Sequence, residues 1–210
     1  MDNNIIVMLG PQGSGKGTQA KILSKKLNIP NISTGELLRQ EIEKGSELGK
    51  KVENIVNGGG LIPDELLVDL AKKRIEEKDC EKGFIFDGSP RTIKQVKLFS
   101  KFLEINKIIE IHISEEESIK RLTNRRQCLQ CGAIYNLYTA PKPKEDELCD
   151  KCKVKLVQRD DDKEERIRNR LNLYHKQTKP VLEHYKDELI KINGEQSIEK
   201  VAEDIEKFIM

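Results

Sequence analysis

The sequence predicts an α/β fold: a parallel sheet flanked by helices, interrupted by two inserted segments. Apolar runs bounded by glycine or turn residues recur at residues 5–9, 84–86, 108–113 and 189–192, and most are followed by a stretch of helical character. Such alternation builds a parallel sheet, because each helix carries the chain back to start a new strand in the same direction. Helical periodicity is strongest over 16–27, 63–78, 92–103, 115–125, 163–185 and 197–209. Pro63 suits the first turn of its helix, whereas Ser197 and Lys200 lie three apart and complete no capping box.

The alternation fails twice. Residues 34–59 read as a short helical insertion, with Thr34 as N-cap and breaks at Gly45 and at Gly58-Gly59-Gly60. Residues 126–158 have no helical period, contain PKPKEDE and hold four of the five cysteines. The division expected is a core of residues 1–32, 63–125 and 163–210, with insertions at 33–62 and 126–162.

At 210 residues the chain is long enough for one good core and a small lobe. Lys and Arg total 38 against 36 Asp and Glu, a net charge of +2, which gives no electrostatic case for wholesale nucleic-acid binding. Any anion site must be local. The start MDNNIIVMLG lacks a basic leader region, and no run approaches the roughly 18 apolar residues of a membrane span, so a soluble cytoplasmic protein is expected. Cys80 stands apart from the other cysteines and reads as a small buried residue.

The stretch GPQGSGKGTQ follows the first apolar run directly. Gly10, four residues, then Gly15-Lys16 match a phosphate-binding P-loop up to its last position. The sheet is therefore of the P-loop NTPase type. Glycines let successive backbone N–H groups turn inward, the helix N-terminus adds its positive end, and Lys16 brings a mobile charge. The hydroxyl that usually follows the lysine is displaced, because Gly17 stands there and Thr18 comes one later. Magnesium is then left to another group, and Asp87, at the end of FIFD, is the natural candidate. Cys128-x-x-Cys131, seventeen residues, then Cys149-x-x-Cys152 delivers four thiolates, a set that closes a tetrahedral structural zinc site.

With GPQGSGKGTQ, ISTGELLR, FIFDGSPRT and the arginines either side of the cysteine segment assembled, the chain resembles the adenylate kinase family along essentially its whole length, in the long form whose lid carries zinc. GKGT is itself the pattern of the nucleoside monophosphate kinases. The resemblance implies transfer from Mg–ATP to AMP giving two ADP, with no covalent enzyme intermediate, by a monomer. It implies catalytic roles for Lys16, Arg91, Arg125, Arg159 and Arg170. ATP would meet Gly13, Ser14, Gly15, Lys16, Gly17, Thr18, Arg121, Arg125, Ile134, Tyr135 and Gln196, the last three mostly through backbone. AMP would meet Thr34, Gly35, Arg39, the segment Gly60, Leu61 and Ile62, then Gly88, Ser89, Pro90 and Arg91, with Gln95, Arg159 and Arg170. Thr34 and Gln95 favour adenine over pyrimidine, since Gln95 can both donate and accept along a base edge. Ser89 departs from the family, which usually has an aromatic there, and this implies weaker preorganisation beside the AMP phosphate.

Two other readings compete. A UMP/CMP kinase is disfavoured by Thr34 and Gln95. A zinc-ribbon, ATP-dependent nucleic-acid binder is disfavoured because the ribbon's basic residues alternate with acids and only Tyr135 and Tyr138 could stack on bases. The run Asp160-Asp161-Asp162 reads equally as a tuner of lid closure and as a solvated helix start.

Overall fold

The computed structural model describes residues 4–209. Five parallel strands, β1 (Asn4–Leu9), β2 (Asn31–Ser33), β3 (Gly83–Asp87), β4 (Lys107–His112) and β7 (Leu189–Asn193), form one sheet in the order β2-β3-β1-β4-β7. The central strands β1 and β3 are nearly continuous apolar runs because both their faces are covered. Ile6, Met8, Ile85, Ile109 and Ile111 pack on one side with Ala20 and Leu23 of α1 (Lys16–Leu27) and Val201 and Ile205 of α9 (Ile198–Ile209). Val7, Leu9, Phe84, Phe86 and Ile108 pack on the other with α4 (Asp64–Ile75), α5 (Ile93–Phe99) and α8 (Lys179–His184).

Register decides where the site lies. Met8 of β1 pairs with Asp87 of β3, and Ser33 of β2 pairs with the same Asp87. The P-loop, the DGSPR turn and the STGELLR helix therefore leave the sheet at one level, at the carboxyl ends of neighbouring strands, where ligands of open α/β sheets bind.

Strand β2 was not expected: it is three residues long with one apolar side chain, too short for any period to show. The helix expected over 63–78 ends at Ile75 and is followed by a 3₁₀ turn, Lys78–Cys80, whose Cys80 is buried as expected. That over 92–103 is α5 alone, begun by Thr92, whose Oγ1 accepts the Gln95 N–H at 3.0 Å. α6 (Glu115–Thr123) stops short of Arg125, which instead opens strand β5 (Arg125–Gln127). The long helix over 163–185 divides into α7 (Glu164–Leu173), a π-helical turn at Tyr174–Thr178, and α8. Pro180 has no N–H for the carbonyl four residues back, and the extra residue per turn absorbs that defect. Thr34 is not a cap. It is the first residue of α2 (Thr34–Glu43), after Ser33, and its buried Oγ1 has no partner. Ser197 does cap α9, accepting the Lys200 N–H at 3.2 Å, although no box is formed.

Two helices, α2 and α3 (Glu47–Asn57), form the first insertion, turning at Gly45 (φ +62°). The cysteine segment has no helix. It holds an antiparallel pair, β5 with β6 (Ile134–Asn136), and isolated bridges Gln127–Val157 and Leu148–Lys155. Its buried core is only Cys128, Tyr135, Cys149 and Leu156. So few side chains cannot hold thirty residues together without another staple.

Candidate active site

The loop between β1 and α1 is shaped by its packing. At Gly10 (φ +138°) a Cβ would enter the carbonyl of Ile111, and at Gly15 (φ +91°) the chain turns left-handed into the helix. No side chain caps α1 and no acid lies in its first turn, so its leading N–H groups and positive dipole end face the cleft uncompensated. α6 supports the loop from behind: Ser118 Oγ donates to the Gln12 carbonyl at 2.5 Å, and a Cβ at Gly13 would stand 3.2 Å from the Leu122 side chain and the Ser118 carbonyl. Lys16 folds back to the Pro11 carbonyl at 3.1 Å. Burial lowers its pKa to about 8, with Arg91, Arg170 and Arg125 adding to the effect and Asp87 opposing it.

Asp87 explains the displaced hydroxyl. A Cβ on Gly17 would stand 3.1 Å from Asp87 Oδ2, so the carboxylate occupies the space into which a serine or threonine at 17 would project. Burial raises the Asp87 pKa, against the pull of Lys16 and Arg91. A partly buried carboxylate at the strand end, beside the anion loop, is a suitable donor for a hydrated Mg²⁺.

The arginines converge. Arg91 is fixed at three points: its Nε donates to the Gly88 carbonyl at 2.7 Å, its N–H to Gln95 Oε1 at 2.7 Å, and its carbonyl accepts from Thr178 Oγ1 at 3.1 Å. Burial, then Arg170, brings its pKa down to about 10. Arg125 forks onto Asp162 at 2.7 and 2.6 Å, while Arg170 reaches Asp161 at 2.9 Å and Asp162 at 3.3 Å. Arg159 donates to Gln127 Oε1, and its pKa falls to about 9 through burial, Arg125 and Arg39. Burial also lowers the pKa values of Arg39 and Arg170, with Arg125 the leading cation in each case. Asp161 moves down: burial opposes its charge, but Arg170, Arg125, Arg159 and Arg39 outweigh it. A cluster whose cations hold one another's pKa values down lacks negative charge, and a polyphosphate would supply it.

A second pocket opens beside this cluster. Thr34, Gly35, Arg39, Gly60, Leu61 and Ile62 line it, together with Arg91 and Arg170. Sequence reasoning read Asp161 only as a tuner of lid closure or a helix start and missed Gln12, Tyr174 and Thr178, yet all four line it. The two last come from the π-helical turn, which leaves no signature in a single sequence. Gly88, Ser89, Pro90, Gln95 and Arg159 stand outside the lining. Gln95 is buried, and both its amide atoms are already used: Oε1 by Arg91, Nε2 by Asp64 Oδ1 at 2.8 Å. Asp64 also accepts from Thr92 at 3.0 Å, a link no periodicity indicated. Ser89 is fully buried, and its Oγ has no partner. Arg91 is held without it.

On the other side of the loop, Arg121 donates to Glu117 at 2.6 Å, and its carbonyl accepts from Asn136 Nδ2 at 2.8 Å, next to Tyr135 and Ile134. Gln196 donates to the Asn193 carbonyl at 2.9 Å and to Asp204 at 3.1 Å, so its amide nitrogen is engaged locally.

The sulfurs of Cys128, Cys131, Cys149 and Cys152 lie within 4.8 Å of one another, with Cys131 and Cys149 3.7 Å apart. A tetrahedron with metal–sulfur bonds of about 2.3 Å has edges of about 3.8 Å. The four thiols therefore fit one tetrahedral ion, with no position left for substrate.

An anion loop on a parallel sheet, facing a second pocket across convergent guanidinium groups, defines a P-loop kinase with a small acceptor. Comparison with known proteins narrows the class. Residues 8–190 match the family profile described as adenylate kinase. The chain is 50% identical over 210 residues to the adenylate kinase of Methanocella arvoryzae and 47% identical over 211 residues to that of Archaeoglobus fulgidus, covering 97% of both chains in each case. It is 44% identical over 207 residues to that of Acetivibrio thermocellus, covering 95% of each chain. The chain belongs to the adenylate kinase family. Among the described residues no helix is long and apolar enough to cross a membrane.

Proposed function

We infer that this chain is an ATP:AMP phosphotransferase, moving the terminal phosphoryl group of ATP to AMP and forming two ADP reversibly. The observation that carries the reading is one guanidinium cluster shared by two anion sites: Arg91 and Arg170 line the second pocket, while Lys16 of the loop lies within their field. Such transfer needs positioning and charge neutralisation rather than a protein nucleophile.

The polyphosphate of ATP lies against the N–H groups of residues 13–18, with Lys16 and Arg125 on its outer oxygens. AMP occupies the pocket between α2, α3 and the π-helical turn. Thr34 and the segment 60–62 face its base, and Arg39, Arg91 and Arg170 face its phosphate, with Arg159 joining on closure. Gln95, whose amide is already engaged by Arg91 and Asp64, acts chiefly by fixing Arg91 toward the phosphate, and base choice falls to Thr34 and the segment 60–62. Residues 33–62 form the acceptor-binding insertion and 126–162 the lid, whose closure excludes water that would compete with AMP. Asp87 would hold Mg²⁺ through water, and the ion would supply positive charge to the transferring phosphates. Zn²⁺ on the four cysteines supplies the staple that the lid's small core lacks. One chain provides both pockets, so a monomer suffices.

The test is ADP formation from Mg–ATP with AMP, UMP, CMP and GMP offered separately, with Lys16→Ala as blank. Turnover with AMP is expected. Preference for UMP or CMP would move the chain to the pyrimidine kinases, and no turnover with any acceptor would remove the reading.

A further inference from the structure

One buried hydroxyl in the lid has no role in phosphoryl transfer. Tyr135 sits on β6 with its ring in the lid core, and its OH lies 3.6 Å from Cys149 Sγ. The same oxygen accepts the backbone N–H of Asp150 at 3.0 Å. A Cys149 thiolate has no proton to give, so in the metal-bound site the phenolic O–H is the donor of this pair. Both partners are buried, so water does not compete for the bond. Cys149 Sγ also faces the Cys152 N–H at 3.5 Å, a geometry expected of a knuckle around a ligating thiolate. Among the described side-chain contacts, no other lid cysteine sulfur meets a hydroxyl, so the second knuckle is supported differently from the first.

The position of Tyr135 in the strand matters as much as its hydroxyl. Its backbone pairs with Arg126, one residue from the Arg125 guanidinium, and its neighbour Asn136 pairs with Arg125 and binds the Arg121 carbonyl. We propose that Tyr135 is an outer-sphere ligand of the lid metal, donating its phenolic hydrogen bond to the Cys149 thiolate. It thereby ties the metal knuckle to the hairpin that carries Arg125. Tyr135 is a positioning residue: its side chain serves the metal while its backbone pairs with Arg126 in the hairpin. The proposal rests on the reading that the four cysteines hold a tetrahedral ion. A hydrogen bond to a thiolate withdraws charge from sulfur, and outer-shell partners of this kind change metal affinity about 10- to 100-fold.

The experiment uses the full chain loaded with Co²⁺ or Zn²⁺, as wild type and as Tyr135→Phe, which keeps the ring in the core. Zinc affinity is read by competition with a chromogenic chelator, and the sulfur-to-cobalt charge-transfer band by absorption. The variant is expected to bind Zn²⁺ about 10-fold more weakly, with the band moved to lower energy as the sulfur becomes richer in electrons. Replacing Tyr135 by 3-fluorotyrosine, a stronger donor of the same shape, should move the band the other way, and this arm stands if the Phe variant fails to fold. Affinity within twofold of wild type and an unmoved band in the substituted proteins would overturn the proposal alone. A wild-type chain that gives no tetrathiolate cobalt spectrum would overturn the metal reading and the proposal together.

Discussion

Asp162 has no solvent exposure, yet it is the anchor for Arg125 through two bonds of 2.6 and 2.7 Å and a third contact for Arg170 at 3.3 Å. Replacing it with asparagine keeps the shape and removes the charge. Breaking a buried ion pair by neutralising one partner costs about 3–5 kcal/mol, and the low end applies because Arg125 remains 17% exposed and retains some solvent. For a chain of this size about 3 kcal/mol corresponds to a fall of about 6–12 °C in Tm. The cost is specific to the nucleotide-free protein, since a bound polyphosphate would give the stranded guanidinium a new counter-charge. Thermal unfolding of Asp162→Asn and wild type, each with and without a saturating bisubstrate nucleotide, therefore shows a wide gap that narrows on binding. Equal Tm values without nucleotide, or a gap that nucleotide leaves untouched, would refute the view that Asp162 holds the arginines in place of phosphate.

Other outcomes follow from the same geometry. Lys16, with its pKa near 8, must be charged to hold phosphate, so binding takes up about half a proton per site at pH 8 and almost none at pH 6. Calorimetry in buffers of different ionisation enthalpy reads this directly, and absent uptake at pH 8 would contradict it. The sign for stability is opposite: the unfolded lysine binds its proton more tightly, so this group's contribution rises between about pH 8 and its ordinary value of 10.5. Gly17→Ser pushes a Cβ against Asp87 and should lower kcat by up to about 100-fold, with little loss of Tm, in assays titrated with Mg²⁺. An unchanged magnesium dependence would separate Asp87 from the metal. At Ser89 alanine should be neutral or slightly stabilising, since the buried Oγ has no partner to lose, whereas phenylalanine should cost about 1–3 kcal/mol by overpacking. Denaturant titration compares them, and a destabilising Ser89→Ala would reveal a partner for that oxygen.

The sequence showed most clearly what is contiguous. A glycine-lysine loop after an apolar run, two paired cysteine knuckles and the strand-helix alternation are each local, and local order survives in one dimension. Partnerships made across the fold were not visible. Asp162 read as one of three equivalent aspartates, and only the structure separates it from exposed Asp160. Asp64, 31 residues from Gln95, carried no mark of its bond to that amide. The π-helical turn looked like uninterrupted helix, because its defect concerns backbone pairing rather than side-chain pattern. Thr34 looked like a cap because threonine before a helical run usually is one; here the helix starts a residue early and leaves a buried, unpartnered hydroxyl on a residue that lines the second pocket. Ser89 read as weaker preorganisation; the three bonds on Arg91 come from Gly88, Gln95 and the distant Thr178, the last of which no local pattern could show.

The pairing of Met8 and Ser33 with Asp87 sets a ruler under the reaction. Donor loop, carboxylate turn and acceptor helix rise from β1, β3 and β2 in that order, and adjacent strands stand about 4.8 Å apart. The separation of the three segments is thus graduated in strand spacings and fixed by ladder hydrogen bonds, far stiffer than any loop. Insertions in the lid or the helical segment leave that scale untouched. A slip of one residue in β3 would move Asp87 by about 3.3 Å and turn it to the opposite face of the sheet.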